Sequence, residues 1–188
     1  MERINSAKVH SLCVQPTFLI GTYNEDNTPN FCPITWVSVT NNDSGYLLVV
    51  SMNGSKRTKE NIGRTDLFSA NLVSTDMLDL LDYFGSRSGK NGQKNEVEYS
   101  YQDGCTLHAP TLDKSRWVYE CRVVNTVQNG ETTTYFGKME NVQIISELKD
   151  ADGLWGIDLT ILDPVIYSGM YHSVDRCLGK IGDFLSLD

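Results

Sequence analysis

No apolar run in this chain approaches the roughly 18 to 20 residues that cross a bilayer as a helix; the longest are short, such as Leu47 to Val50. Met1 to Val9 lacks the apolar stretch of a signal peptide, so the expected location is cytoplasmic. Cysteine is sparse and odd in number: Cys13, Cys32, Cys105, Cys121 and Cys177 contain no C-x-x-C pair. That pattern builds neither a disulfide framework nor a zinc knuckle, and the five read as reduced thiols. His10, His108 and His172 show no ligand spacing, and no structural metal is expected. No G-x-G-x-x-G occurs, which removes a Rossmann site for a pyridine nucleotide. Positive charge is outweighed, with 16 Lys and Arg against 24 Asp and Glu and a net charge of -8, which opposes binding to a phosphate backbone. Repeats and interdomain linkers are also missing. With 188 residues, 40% hydrophobic and 21% charged, the chain reads as one globular domain over 1–188 rather than a disordered one.

Against that background the stretch Tyr46 to Asn61, YLLVVSMNGSKRTKEN, stands out. It reads as a buried strand, a small-residue turn and a helix whose first turn carries Lys56, Arg57 and Lys59. A helix N-terminus already holds about half a positive charge, so cations there are unfavourable by about 0.3 to 1 kcal/mol each unless an anion sits among them. Amides from Asn53 to Arg57, the hydroxyls of Ser55 and Thr58 and the basic heads together suit a phosphomonoester. Taken alone, these residues also fit a solvated basic helix face.

Elsewhere the pattern is mostly β. Thr17 to Tyr23, a polar turn ending at Pro29 and Asn30 to about Thr40 read as strand, turn, strand. Leu47 to Val50 is apolar on both faces, which suggests a central strand. A helix over Lys56 to Arg64, a strand over Leu67 to Val73 and a helix capped by Ser74 or Thr75 and running to about Phe84 follow. In the last, Met77, Leu80, Leu81 and Phe84 form one stripe and Asp76, Asp79 and Asp82 lie off it. Gly85 to Asn95 reads as a surface loop. From Ser115, Trp117, Tyr119, Cys121 and Val123 alternate with Glu120 and Arg122, and Asn129-Gly130 predicts a type I′ hairpin into Thr132 to Phe136. Val142 to Leu148 and Ile166 to Tyr171 read as extended, on either side of Pro164. Six to eight strands with two or three short helices predict a mainly β, antiparallel barrel.

In order and spacing these segments resemble the flavin reductase-like family of FMN-binding split β-barrels, which includes flavoredoxins. The likeness is carried by Asn30, Pro33, Thr35 and Trp36; by Thr58, Asn61 and Ile62; by Phe68 to Asn71; by Ser88, Gly89 and Lys94; by Ala109, Pro110, Glu120 and Cys121; and by Tyr171 and Gly179-Lys180. Two departures stand out. The lysine loop reads Gln93-Lys94-Asn95 without its usual aromatic, and Tyr135 to Gly137 offers no histidine where some relatives place one.

The resemblance implies a split barrel that binds FMN. It makes the basic turn, through Asn53, Ser55, Arg57 and Thr58, the phosphate cradle and Trp36 the wall for the isoalloxazine, although a strand tryptophan by itself suggests core packing. Thr35, Ser51 and the backbone near Met52 become contacts for the pyrimidine edge. Lys94, with Lys90 as substitute, becomes the loop cation near the ring, and Asn30 and Tyr171 become ribityl or ring contacts. No catalytic acid or base is expected. The implied reaction moves electrons from NAD(P)H to flavin in a homodimer. The alternatives are a flavoredoxin-like carrier served by redox proteins, or a barrel that has lost flavin and acts as a binding module.

Overall fold

The computed structural model describes residues 1, 3–5, 13–89, 98–150, 157–180 and 183. After a short β1 (Gln15–Pro16), the chain forms β2 (Phe18–Tyr23), β3 (Pro29–Ile34), β4 (Val37–Asn42) and β5 (Gly45–Met52), then helix α1 (Arg57–Thr65) and β6 (Leu67–Leu72). A 3-10 turn over Thr75–Met77 leads into α2 (Leu78–Ser86). There follow β7 (Tyr101–Asp103), β8 (Pro110–Leu112), the long pair β9 (Trp117–Asn129) and β10 (Thr132–Ile144), the single turn α3 (Leu159–Leu162), β11 (Ile166–Tyr167) and β12 (Tyr171–His172).

Seven strands pair antiparallel in the order β3-β2-β6-β9-β10-β5-β4. The two edge strands are consecutive in the chain, with only Thr35 and Trp36 between Ile34 and Val37. A flat sheet of seven strands would separate its edges by about 29 Å, at about 4.8 Å per gap. Three peptide units span at most about 11 Å. The sheet must therefore curl until its edges meet, giving an antiparallel split β-barrel with a few short helices.

One apolar cluster fills the barrel, including Phe18, Ile20, Leu48, Val50, Met52, Phe68, Ala70 and Cys121. A second lies outside it, where Leu19 and Phe31 meet Met77, Leu80, Leu81 and Phe84 of the helical stripe. β2 is buried along its whole length because its alternate side chains serve both clusters. Among the described residues no helix is long and apolar enough to cross a membrane.

Several expectations are corrected. The strand predicted from Asn30 to Thr40 is two strands, broken where the amide of Val37 donates to the carbonyl of Thr35 (2.9 Å) and the chain changes edges. β5 is covered on both faces at Leu47 and Leu48 but lies second from an edge, not centrally. The β9–β10 hairpin pairs Thr132 with Asn129, so its corner is Gly130–Glu131, one residue later than expected. Only Gly130 takes a positive φ (58°), which fits a type II′ turn with glycine first rather than type I′. Gly85 and Ser86, read as loop, still belong to α2.

Glu120 holds a further surprise. Alternation puts it on the face opposite Trp117, Tyr119 and Cys121, and that face is also covered: Glu120 is 0% exposed. Its carboxylate accepts from the amides of Cys105 (3.0 Å), Thr106 (2.8 Å) and Leu107 (2.7 Å) and from Asn141 Nδ2 (2.7 Å) and Gln143 Nε2 (2.9 Å). Burial alone would push its pKa up, but these hydrogen bonds outweigh burial and hold it below the usual value.

Candidate functional site

The strand-to-helix corner after β5 forms one wall of a cleft of about 340 Å³. Ser55, Lys56, Arg57 and Thr58 face Asn30, Cys32 and Pro33 of β3 and the run Phe84 to Gly89 at the end of α2. No side chain caps α1 at Lys56. Its first turn thus presents the positive end of a helix toward the cleft.

Beneath the cleft lies a buried polar network. Asn30 Nδ2 donates to Thr58 Oγ1 (2.9 Å) and to Thr22 Oγ1 (3.3 Å). Asn61 Nδ2 donates to the same Thr22 oxygen (3.0 Å) and to Asn24 Oδ1 (3.0 Å). Thr22, Asn30, Thr58 and Asn61 are each no more than 3% exposed. The network is neutral, and it fixes α1 on the β2–β3 hairpin. Because Thr58 Oγ1 is an acceptor here, its own O–H is left to donate.

The expected crowd of cations is partly balanced. Arg57 pairs with Glu60 (2.9 Å), with both side chains more than a third exposed. Lys59 Nζ donates to the carbonyls of Gly54 (3.1 Å) and Glu131 (2.9 Å), tying the corner to the β9–β10 hairpin instead of entering the cleft. Lys56 and Arg57 line the cleft, and the Arg57–Glu60 pair is of the exposed kind that contributes about 0 to 1 kcal/mol.

Of the sequence-predicted residues, Asn30, Ser55, Arg57 and Thr58 line this cleft together. Thr35, Trp36, Ser51, Met52 and Asn53 are not among its lining residues. Trp36 is 49% exposed, so core packing is not its role. Its carbonyl accepts from the amide of Ser51 (3.0 Å), which joins the β3–β4 corner to β5, and Thr35 is half-buried beside it. Ser51 Oγ bonds Thr134 Oγ1 (2.8 Å), and Asn53 Oδ1 accepts from Thr132 Oγ1 (3.3 Å). The Met52 side chain points into the core, leaving only its backbone for a ligand. Tyr171 sits apart, in a neighbouring cleft with Asp79, Asp82 and Tyr83, where its hydroxyl donates to Asp82 (2.7 Å). Burial, then Asp82, push that phenol up to about 12. Lys90 and Lys94 lie outside the described residues.

Sequence reasoning missed the contribution of α2. A Cβ added at Gly89 would collide with Asn30 Oδ1 and crowd Arg57 Cβ at 3.3 Å, so the bare backbone of Gly89 is what lets the end of α2 close against the corner. The signal was the apolar stripe of α2, which reaches Phe84 in the cleft wall and carries Gly85 to Gly89 to its mouth.

Residues 10–174 match the model of the family described as "Flavin reductase like domain". No curated protein sequence matches. Among solved structures, the flavoredoxin of Desulfovibrio vulgaris (Miyazaki F) is 24% identical, with 97% of this chain and 99% of that one covered and a TM-score of 0.85. Flavoredoxin from Methanosarcina acetivorans is 24% identical over 98% and 97% of the two chains, with a TM-score of 0.82. The FMN-binding protein from Thermus thermophilus is 20% identical over 92% and 93%, with a TM-score of 0.72. At these identities the likeness establishes the fold.

Proposed function

Since this chain belongs to the flavin reductase-like domain family, we propose that it is an FMN-dependent oxidoreductase passing electrons from NAD(P)H to flavin. The observation that carries the FMN reading is the uncapped start of α1 facing a cleft lined by Lys56, Arg57, Ser55 and the Thr58 hydroxyl. That donor set fits a phosphate dianion, and among the described residues no carboxylate lines the cleft. FMN-binding by the Thermus thermophilus relative supports the choice of flavin.

When bound, FMN supplies a ring that accepts a hydride or single electrons. The residues of this chain position and enclose it. Arg57, Lys56 and the amides of the α1 first turn hold the phosphate, with Ser55 and Thr58 donating hydroxyl protons. Half-exposed Trp36 offers an apolar face at the rim, and Thr35 and Ser51 offer polar groups around it. Tyr171, Lys90 and Lys94 are kept in this proposal as further flavin contacts.

We propose further that the chain works as a cytoplasmic homodimer. Trp36, Tyr46 and Val39 are 49%, 67% and 55% exposed around β4, which pairs with β5 on one side only. A second copy covering that edge would remove this apolar surface from water. Light scattering on the purified protein should give twice the chain mass, and Val39→Glu should return a monomer.

The visible spectrum of the protein as purified is the primary test: a flavin spectrum, restored by FMN after stripping, is expected, and a colourless protein that gains no thermal stability from FMN would end the reading. Anaerobic mixing with NADH and NADPH then tests the donor. Rapid bleaching supports the reductase. Inertness toward both would favour a flavoredoxin-like carrier, the reading suggested by the likeness to two flavoredoxins over nearly their whole length.

A further inference from the structure

Four residues, Asn53 to Lys56, carry the chain from the end of β5 to the first residue of α1, and Gly54 among them takes a φ of 68°. No side chain caps the helix that follows, so the usual local lock on such a corner is missing. The corner is held from outside instead. Lys59, in the first turn of α1, reaches back so that its Nζ donates to the carbonyl of Gly54 (3.1 Å) and across to the carbonyl of Glu131 at the tip of the β9–β10 hairpin (2.9 Å). Thr132 Oγ1 donates to Asn53 Oδ1 (3.3 Å), just past the point where the pairing of β5 with β10 ends at Met52 and Thr133. A cation in the first turn is disfavoured by the helix dipole, and two carbonyl oxygens, each the negative end of a peptide dipole, offset that. The segment held in this way includes Ser55 and Lys56, which line the corner cleft with Arg57 and Thr58, whereas Lys59 is not among the cleft's lining residues.

We propose that Lys59 is a positioning residue for the phosphate cradle. It does not touch the ligand. By bonding Gly54 and Glu131 at once, it makes the tip of the β9–β10 hairpin a brace for the corner, so that Ser55 and Lys56 are already placed when the phosphate arrives. Glycine at position 54 would leave the corner free to take other paths, and a brace that removes those paths lowers the ordering cost of binding. The inference rests on the reading that this cleft takes the FMN phosphate, and it adds a dependence on a hairpin tip 72 residues further along the chain.

Titration of the stripped protein with FMN and with riboflavin, followed by flavin fluorescence, tests it. Wild type should prefer FMN. Lys59→Met, which keeps the stem and removes the donors, should weaken FMN about fivefold, the scale of residues that act without touching a ligand, and leave riboflavin unchanged. Lys59→Arg, which keeps donors for both carbonyls, should stay near wild type. Gly130→Val separates brace from charge: a Cβ there meets no neighbour, but its positive φ suits a β-branched residue badly, so the hairpin tip moves while the ammonium remains. It should weaken FMN as Lys59→Met does, and the two combined should be no worse than Lys59→Met alone. It also serves if Lys59→Met does not fold. If Lys59→Met keeps the full preference for FMN, weakens both ligands alike or is matched by Lys59→Arg, the proposal fails. Unchanged FMN binding in Gly130→Val, or additive losses, would assign the effect to the charge of Lys59 rather than to the brace and would overturn it too. If wild type itself binds FMN and riboflavin equally, or neither, the phosphate reading falls and this inference falls with it.

Discussion

Two buried polar networks flank the barrel, and they are built to different ends. Around Glu120 a full charge is met by five donors, three of them backbone amides, and the carboxylate has no exposed surface. Around Thr22, Asn30, Thr58 and Asn61 the groups are neutral, the bonds are shared between side chains, and two members line a cleft. The first is saturated, so it can hold the 104–109 segment to the barrel but offers nothing to a ligand. The second has bonding capacity left at Thr58 and sits beside cations. Burial of polar groups by itself therefore marks neither structure nor function. What separates them is whether donors and acceptors are used up.

The largest expected effect lies at the saturated network. Glu120→Ala would strand three amides and two side-chain amides, and should reduce stability by about 3 to 5 kcal/mol, as breaking buried charged networks does; thermal unfolding measures it. A loss below about 1 kcal/mol would erase the distinction. At the cleft, Arg57→Ala combined with Thr58→Ala should weaken FMN about a hundredfold, close to 3 kcal/mol from two bonds to a charged group. Riboflavin should be nearly unaffected, and equal losses for the two ligands would move the phosphate elsewhere. Asn61→Ala, deeper in the neutral network, should lower stability by about 1 to 2 kcal/mol with FMN affinity little changed in titration. Gly89→Ala should do the reverse, weakening FMN several-fold, because α2 must draw back from Asn30, with a smaller shift in melting temperature.

The subtlest effect is the acid limb of stability. Glu120 has a folded pKa below its ordinary value of 4.5, so its stabilising contribution is present above that value and is lost as pH falls toward the lowered one. Urea unfolding of Glu120→Gln between pH 6 and pH 3, a window of about the ordinary carboxylate range, should therefore show a flatter decline than wild type. An unchanged slope would mean that the charge is not what the five donors hold.

Much of this fold is legible in the chain. The helical stripe Met77, Leu80, Leu81 and Phe84, the alternation from Trp117 to Val123 and the β2–β3 turn are local patterns, and local patterns survive folding. The Thr35–Trp36 break does not announce itself, because nothing nearby in sequence says that β3 and β4 belong to opposite edges. The same holds for Glu120, whose partners Leu107 and Gln143 are brought to it by separate segments. At the site, the Ser55 to Thr58 corner was readable from its charge and its strand-to-helix setting. Lys59 was misjudged, since its carbonyl partner at Glu131 is 72 residues away. The end of α2 was missed because glycine and serine look alike in a loop and in a cleft wall.

The strand order also bears on how the molecule is made. The β2–β3 and β4–β5 hairpins leave the ribosome one after the other, yet β6, β9 and β10 must come between them on the long way round. Until residues 118–122 have emerged β6 presents an edge with no neighbour, and until residues 133–138 have emerged so does β5. Closure waits on contacts far apart in sequence, the circumstance that slows folding and exposes half-built sheets to association. A nascent chain stalled before Trp117 would be a candidate for chaperone capture, and its release would be timed by the arrival of a single hairpin.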